Sequence, residues 1–441
     1  MKNFSSFSKL KKKILQKNSN VAVIGLGYVG LPLAVSFAIS GFKVFGLDND
    51  SKKISKLQKG ENVISSIENS FLKKAQRSNL ICSKDFNLLS KSDVIIICVP
   101  TPIYIKKKTP MMEHIKEVID QMGKYSLQDK LIILECTTYP GTTEEYLLPL
   151  FNKQKLIVGK NVFLGYSPER EDPGNKFYSV LKKNIPKIVS GMTNKCLGLT
   201  NKIYSYISKK TYKVSNIKTA EFTKLLENIY RSVNIGLVNE MKTISDKFEI
   251  DIYETIKAAK TKPFGYQAFY PGPGVGGHCI PVDPYFLTWK AKQYGIDTRF
   301  IKLAGEINEG RPVQIINYLL KYFDGTKLSN LKCLVLGLAY KKNSDDVRMS
   351  PAIKILRGIK KNITKNIYVY DPNVPKENII FSSYNHINVK KISKKKLNKI
   401  DFILILVNHD GINYKFIEKN SKIIFDTRNS FNFKKNNIIQ I

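Results

Sequence analysis

Arginine is scarce in this chain of 441 residues. It fills only positions 77, 170, 231, 299, 311, 348, 357 and 428, so the formal charge of +36 is carried almost wholly by lysine. Lysine, asparagine and isoleucine are in excess throughout, which reads first as a compositional bias. The functional reading of such a charge is an anionic partner, from nucleic acid to membrane to nucleotide. Against that background a well-placed arginine stands out. Long apolar runs are missing too. The longest, such as VIIICV and FILILV, have the length of buried strands and exclude a membrane-spanning helix. The first twenty residues are basic but contain no apolar segment, which argues against a secretory signal. Residues 1–19 are expected to form a frayed, solvated basic tail, and the protein is expected to be cytoplasmic with no membrane partner. Cysteine occurs at 82, 98, 136, 196, 279 and 333, without the spacing of metal ligands, so no metal is expected. Cys98, Cys136 and Cys333 lie in strand-like apolar runs and read as inert core thiols.

Cys279 is different. In FYPGPGVGGHCIPVDP, residues 269–284, four glycines and two prolines precede it, with His278 before it and Asp283 four positions on. Glycine loses more backbone entropy on ordering than other residues, so such a loop is costly. Either a ligand approaches the backbone closely here, or the thiol reacts.

The opening NVAVIGLGYVGLPLAVSFAISGFKVFGLDND reads as strand, tight turn, helix and strand. Gly25 permits the turn, Gly27 lets the backbone approach a pyrophosphate, and Gly30 allows close helix packing. Tyr28 and Val29 complete that turn, and Asp48 ends the second strand, 18 residues beyond Gly30. This is a dinucleotide-binding pattern with the helix N-terminus aimed at phosphate. Asp48 would bond the adenosine ribose and repel a 2′-phosphate, which predicts NAD rather than NADP. DVIIICVPTP, LIILECTTYPGTT and VFLGYSPER read as further parallel strands, with Thr101 and Thr138 at their ligand-facing carboxyl edge. The pattern from 213 to 323 is helical. Leu225, Ile229, Val233 and Leu237 mark an apolar face, and Glu221, Lys224, Asn228 and Arg231 a polar stripe. That stripe is either a solvated face or a row of donors inside a cleft. From Lys332, CLVLGLAY, IYVYD and DFILILV repeat the opening pattern without its GxGxxG. The fold class is therefore α/β: two Rossmann-like, doubly wound parallel-sheet domains (20–212 and 324–441) joined by a central helical domain (213–323).

With these motifs assembled, the chain resembles the UDP-glucose/GDP-mannose dehydrogenase family, and within it the bacterial UDP-N-acetylglucosamine 6-dehydrogenases of surface-polysaccharide pathways. PFGYQAFYPGPGVGGHCIPVDPYFLTWKA, GYSPEREDPG and TKLLENIYRSVNIGLVNE carry the resemblance. It implies NAD-dependent oxidation of a primary alcohol to a carboxylate, in two hydride transfers at one site. A UDP-N-acetylhexosamine, foremost UDP-N-acetylglucosamine, is the implied substrate and partner. The resemblance makes Cys279 the nucleophile that forms a thiohemiacetal and then a thioester. Lys224 and Asn228 would bond the developing oxyanions, Asp283 would assist a proton relay or activate water, and Glu169 would handle protons in thioester hydrolysis. Arg170 and Arg231 match substrate-binding positions, and Glu171 and Gly274 are assigned with them. Tyr340 and Lys341 match positions that hold the UDP-sugar, while Arg348 matches one that reaches the cofactor. His278 reads as loop packing or a sugar contact.

Two departures stand out. Lys53 replaces the family's frequent arginine five residues after the ribose-binding acid, and a lysine cannot fork bidentately. Residues 258–268 lack the histidine and arginine that some members lend to a partner subunit. The family's central helices imply a homodimer. The competing readings are a UDP-glucose dehydrogenase, a two-domain 3-hydroxyacid dehydrogenase needing no loop cysteine, and a basic nucleic-acid-binding protein. The last lacks an aromatic-interleaved basic patch or a recognition motif, so no nucleic acid is expected.

Overall fold

A computed structural model describes residues 5–64, 67–171, 179–375, 377–378, 384–386, 393–431 and 435–441. In chain order the elements begin α1 (Ser6–Leu15), β1 (Asn20–Ile24), α2 (Gly30–Ile39), β2 (Lys43–Leu47), α3 (Ser51–Gln58), α4 (Asn69–Ser78), β3 (Leu80–Ser83) and β4 (Val94–Ile97). They continue β5 (Ile103–Tyr104), β6 (Thr109–Pro110), α5 (Glu113–Met122), β7 (Leu131–Leu134), α6 (Thr142–Lys153), β8 (Phe163–Tyr166), β9 (Lys187–Gly191), α7 (Asn194–Tyr204) and β10 (Thr211–Lys213). The helices α8 (Ile217–Lys247), α9 (Ile252–Ala259), α10 (Asp283–Lys292) and α11 (Arg299–Tyr322) follow. Last come β11 (Cys333–Leu336), α12 (Pro351–Asn362), β12 (Ile367–Tyr370), β13 (Asn385–His386), α13 (Lys394–Leu397), β14 (Phe402–Ile405), α14 (Tyr414–Lys419), β15 (Ile424–Asp426) and β16 (Ile438–Gln440). By internal contacts the chain divides into two compact units: residues 1–227 with 285–295, and 228–284 with 296–441.

The first unit holds an eight-stranded sheet in the order β10-β9-β8-β7-β4-β1-β2-β3. Its run β3-β2-β1-β4-β7-β8 is the doubly wound order, reversing between β1 and β4 where a dinucleotide binds. β4 and β7 are buried along their whole length, as parallel strands covered on both faces must be. α2 is buried at nine of its ten positions, Gly30 to Ala38, and this explains why it is apolar all round. β9 runs antiparallel to β8. That reversal brings the first residue of β9, Lys187, to the sheet edge where β7 and β8 end. The expected frayed tail is corrected here: α1 is capped by Ser5, whose hydroxyl accepts from the amide of Ser8. Its Leu10 and Ile14 enter the same core as β1 and α2. The basic residues lie on the opposite side of an amphipathic helix, which the eye reads as uniformly charged sequence.

The second unit holds a six-stranded parallel sheet, β13-β12-β11-β14-β15-β16. Its strand order repeats the doubly wound order of the first, as the echoing sequences suggest. Gly25 and Gly337 hold φ of +92° and +87° at the equivalent first turns. Asp48 and Asp371, each after the second strand, both accept amide hydrogens from those turns.

Candidate active site

The turn after β1 is built for a phosphate. A Cβ on Gly30 would stand 1.9 Å from the carbonyl oxygen of Gly25, so only glycine permits that closeness. At Gly27 a Cβ would meet nothing within 4 Å, so the turn has an open flank for a ligand. Tyr28 and Val29 lead from it into the N-terminus of α2. Asp48 Oδ2 accepts from the Leu26 amide at 2.8 Å and from Lys53 Nζ at 2.7 Å, while Oδ1 accepts from the Asp50 amide at 3.0 Å. Lys53, at the position where the family often has arginine, is thus paired with Asp48, the acid expected to meet a ribose. Gly25, Asp48 and Lys53 line a cavity of about 650 Å³ together with Phe86, Val99 and Val118. Apolar walls for a base, an acid for a ribose and a glycine turn for a pyrophosphate fit NAD. Thr101 donates to the Thr137 carbonyl at 2.7 Å. Thr138 is fully buried, and its hydroxyl has no hydrogen-bond partner among the described residues. Such an orphaned group at a carboxyl edge suits a bound ligand or water.

Beyond β8, Glu169 turns back on its own backbone, where Oε1 accepts from the amides of Arg170 and Glu171. Its Oε2 lies 3.1 Å from Lys187 Nζ. Burial raises the Glu169 pKa, but the charge and bond of Lys187, the charge of Lys224 and the Glu171 amide outweigh it, so the net direction is down. Lys187 is also paired with Glu135, which is completely buried and accepts from the Tyr204 hydroxyl. Burial pushes Glu135 up to about 7 against the pull of Lys187. Glu171 is raised to about 8 by burial and by the neighbouring Glu169 charge, and it accepts from the Val180 amide at 3.1 Å. Arg170 forks between Glu227, at 2.7 Å, and the Pro186 carbonyl. Asp172, Pro173 and Gly174 of the same motif lie outside the described residues.

The polar stripe of α8 is not a solvated face for most of its length. Glu221, Lys224 and Asn228 are buried, and only Arg231 is exposed. Glu221 accepts from the amides of Gly141, at 2.5 Å, and Thr143, at 2.9 Å, and from the Thr143 hydroxyl, so it caps the start of α6.

In the second unit Cys279 is half-buried, whereas the other five cysteines are all buried. Burial raises the pKa of Cys82 to about 12, and it raises those of Cys98, Cys136 and Cys333 too. The Cys279 carbonyl accepts from the amides of Val282, at 3.0 Å, and Asp283, at 2.7 Å, in the turn that starts α10. Asp283 in turn accepts from the Asn228 amide group at 2.5 Å. Asp283 and Asn228 are therefore one buried pair, with the aspartate fixing which way the asparagine points.

The loop glycines serve a different neighbour from the one the sequence suggests. A Cβ on Gly276 would lie 2.6 Å from Tyr340 Cβ, and one on Gly277, at φ +83°, would lie 2.9 Å from the Tyr340 ring. Their smallness admits Tyr340, so this part of the loop is packed against protein. Gly274, at φ +128°, passes close to the Asn308 carbonyl and Pro351. Two scarce arginines prop the loop: Arg311 donates to the Gly272 carbonyl at 3.2 Å, and Arg428 lies directly against Gly272. Arg348 is held by Asp346 at 2.6 Å and lies 3.3 Å from His278 Nδ1. Lys341 is half-buried on the same turn as Tyr340.

Sequence reasoning missed Glu135, Lys187, Tyr204 and His409. His409 is fully buried, with Nε2 3.1 Å from Asp371 and Nδ1 accepting the Asn343 amide. Glu135 directly follows the apolar strand β7 and Lys187 directly precedes the apolar residues of β9, the one available signal.

Comparison with known proteins follows the same layout. The chain matches the NAD binding domain of the UDP-glucose/GDP-mannose dehydrogenase family over residues 19–208, the central domain over 218–310 and the UDP binding domain over 334–433. It is 35% identical over 435 residues to Protein CapL of Staphylococcus aureus, covering 96% of this chain and 99% of that protein. It is 34% identical over 430 residues to the UDP-N-acetyl-D-glucosamine 6-dehydrogenase of Pseudomonas aeruginosa, covering 93% and 97%. Among solved structures, a UDP-D-ManNAc dehydrogenase from Pyrococcus horikoshii superposes with a TM-score of 0.84 at 32% identity, covering 95% of this chain and 98% of that one.

Proposed function

The chain belongs to the UDP-glucose/GDP-mannose dehydrogenase family of NAD-dependent UDP-sugar dehydrogenases, and from that premise we propose that it oxidises the C6 alcohol of a UDP-N-acetylhexosamine to the uronate. The observation that carries this reading is Cys279: the one cysteine that is not buried stands on the glycine loop, immediately before the Asp283–Asn228 pair. UDP-N-acetylglucosamine is the first substrate to test. UDP-N-acetylmannosamine is a second reading, favoured by the activity named for the Pyrococcus horikoshii relatives.

NAD supplies the hydride acceptor for both oxidations. Lys224 and the oriented amide of Asn228 stabilise the alkoxide and later the tetrahedral oxyanion. The Cys279 sulfur bonds the aldehyde carbon, which makes that carbon a hydride donor again and leaves a thioester after the second transfer. Water then adds to the acyl carbon, the carbon–sulfur bond breaks with its electron pair going to sulfur, and Glu169 accepts a proton from the water. One alcohol, two NAD and one water give one carboxylate, two NADH and three protons. Arg170, Arg231, Tyr340 and Lys341 serve the sugar nucleotide, and Arg348 the cofactor.

The reading also includes a homodimer. Phe222, Leu226, Tyr230, Leu237, Met241 and Ile244 are exposed along α8 at steps of three, four or seven residues, a single stripe suited to a second copy of the same helix. The test of function is NADH formation with UDP-N-acetylglucosamine, UDP-N-acetylmannosamine, UDP-N-acetylgalactosamine, UDP-glucose and GDP-mannose. An N-acetylated UDP-sugar should be used with the highest kcat/KM. Preference for UDP-glucose would overturn the assignment.

A further inference from the structure

Lys187 has no role in the chemistry above, yet it is a buried cation anchored by three acceptors. An ammonium has three N–H bonds. Those of Lys187 find Glu135 Oε1, Glu169 Oε2 at 3.1 Å and the Pro168 carbonyl at 3.4 Å. Its Nζ also stands 5.4 Å from the centroid of the Tyr204 ring, and the Tyr204 hydroxyl donates to the remaining oxygen of Glu135. The four side chains come from four places: the end of β7, the turn after β8, the start of β9 and the last residue of α7. Lys187 is 5% exposed and Glu135 0%, while Glu169 reaches 12%. The chain Tyr204–Glu135–Lys187–Glu169 therefore runs from a dry interior to one carboxylate that water can reach.

We propose that Lys187, anchored by Glu135 and Tyr204, is a positioning residue that aims Glu169 and keeps it a carboxylate for hydrolysis of the thioester. This rests on the reading of Glu169 as the group that takes a proton from water. With Oε1 committed to two backbone amides and Oε2 bonded to Lys187, one lone pair of Oε2 remains for that water. Neither oxygen can rotate away without leaving an amide or one ammonium N–H without its acceptor in a buried place. Other charges and titratable groups bear on the network: Lys224 from α8 and Glu171 act on Glu169, while Cys98 lies near Glu135. Glu135 is the tuning element. When it is protonated Lys187 belongs to Glu169 alone, and when it is ionised the two acids share the cation. Burial places that exchange at about 7, inside the working range of pH.

The experiment combines single-turnover hydrolysis, followed as sugar–protein adduct by intact mass, with the pH profile of kcat. Lys187→Met should accumulate adduct, lower kcat at least tenfold and move the acidic limb of the profile to higher pH, with KM for the UDP-sugar within about twofold of wild type. Loss of a general base typically costs 10²–10⁴ in rate, which bounds the effect. Glu135→Gln keeps the Lys187–Glu169 pair and fixes the network in the form that protonated Glu135 gives, so its acidic limb should match the wild type's, while the step in hydrolysis rate that the wild type shows near pH 7 should disappear; it decides the matter if Lys187→Met does not fold. Lys187→Arg should recover part of the hydrolysis rate. An acidic limb unmoved in Lys187→Met and a step near pH 7 retained in Glu135→Gln, with only the melting temperature lowered, would make the network structural and overturn the inference. Glu169→Gln separates the two levels. If it hydrolyses adduct at the wild-type rate, the reading of Glu169 itself fails. If it is slow while the other variants are unaffected, only the role of Lys187 fails.

Discussion

Asp48 and Lys53 form an ion pair in the cavity beside the glycine turn. A lone carboxylate would reject a 2′-phosphate strongly, but here an ammonium at 2.7 Å neutralises it in part. We therefore predict NAD over NADP in the wild type, with a ratio that widens in Lys53→Gln because the 2′-phosphate then meets an uncompensated charge. Measuring kcat/KM for both cofactors in both proteins checks this, and a narrower ratio in the variant would show that Lys53 does not favour the phosphate. At this scale the sequence was readable where a residue's identity forces its conformation. Gly25 and Gly30 are needed by the turn whatever surrounds them, so the motif alone located them. Gly276 and Gly277 make room for Tyr340, which lies more than sixty positions on, and no local pattern could show that. Glu135 and Lys187 are 52 residues apart and meet because β9 is antiparallel to β8, a pairing that a one-dimensional reading cannot supply.

At the scale of the element, α8 holds Lys224, Asn228 and Arg231 on one helix. Leu225 and Ile229 are buried as expected, but Leu237 is 55% exposed. A helix turns 100° per residue, so each four-residue step drifts 40° and three steps carry Leu237 about 120° from the core face. The same drift supplies the second apolar stripe, which periodicity alone assigns to no particular partner. Glu221 fixes the start of this helix to the N-terminus of α6, where burial raises its pKa to about 7 despite the bonds from Thr143 and Gly141. The folded pKa lies above the ordinary 4.5, so the contribution is fully present below 4.5 and is lost as pH rises through about 7. Denaturant unfolding should therefore show the stability of Glu221→Gln rising relative to wild type between pH 5 and pH 8, by on the order of 1–3 kcal/mol. Parallel curves would mean that the amides at α6 fully compensate burial. The resulting slope belongs to Glu221 alone, since Glu135 is unchanged in both proteins.

For the whole molecule, two doubly wound sheets of the same strand order were legible because strands buried on both faces are continuous apolar runs. The mistaken tail was not, since α1 buries only Leu10 and Ile14 and shows its lysines everywhere else. The exposed stripe of α8 predicts a dimer in solution by light scattering. Leu237→Asp combined with Met241→Asp should yield monomer, and a wild-type monomer at micromolar concentration would reject the stripe as an interface. The central claim is that one thiol carries the second oxidation. Cys279→Ala keeps the loop glycines, the Asp283–Asn228 pair and the cofactor turn, so loss of turnover in it reports on the sulfur. The most direct measurement is uronate formed per NADH with wild type and Cys279→Ala, using the best N-acetylated UDP-sugar. The account predicts two NADH per uronate and no free aldehyde in the wild type, and almost no uronate in the variant; near-wild-type uronate from Cys279→Ala would contradict it.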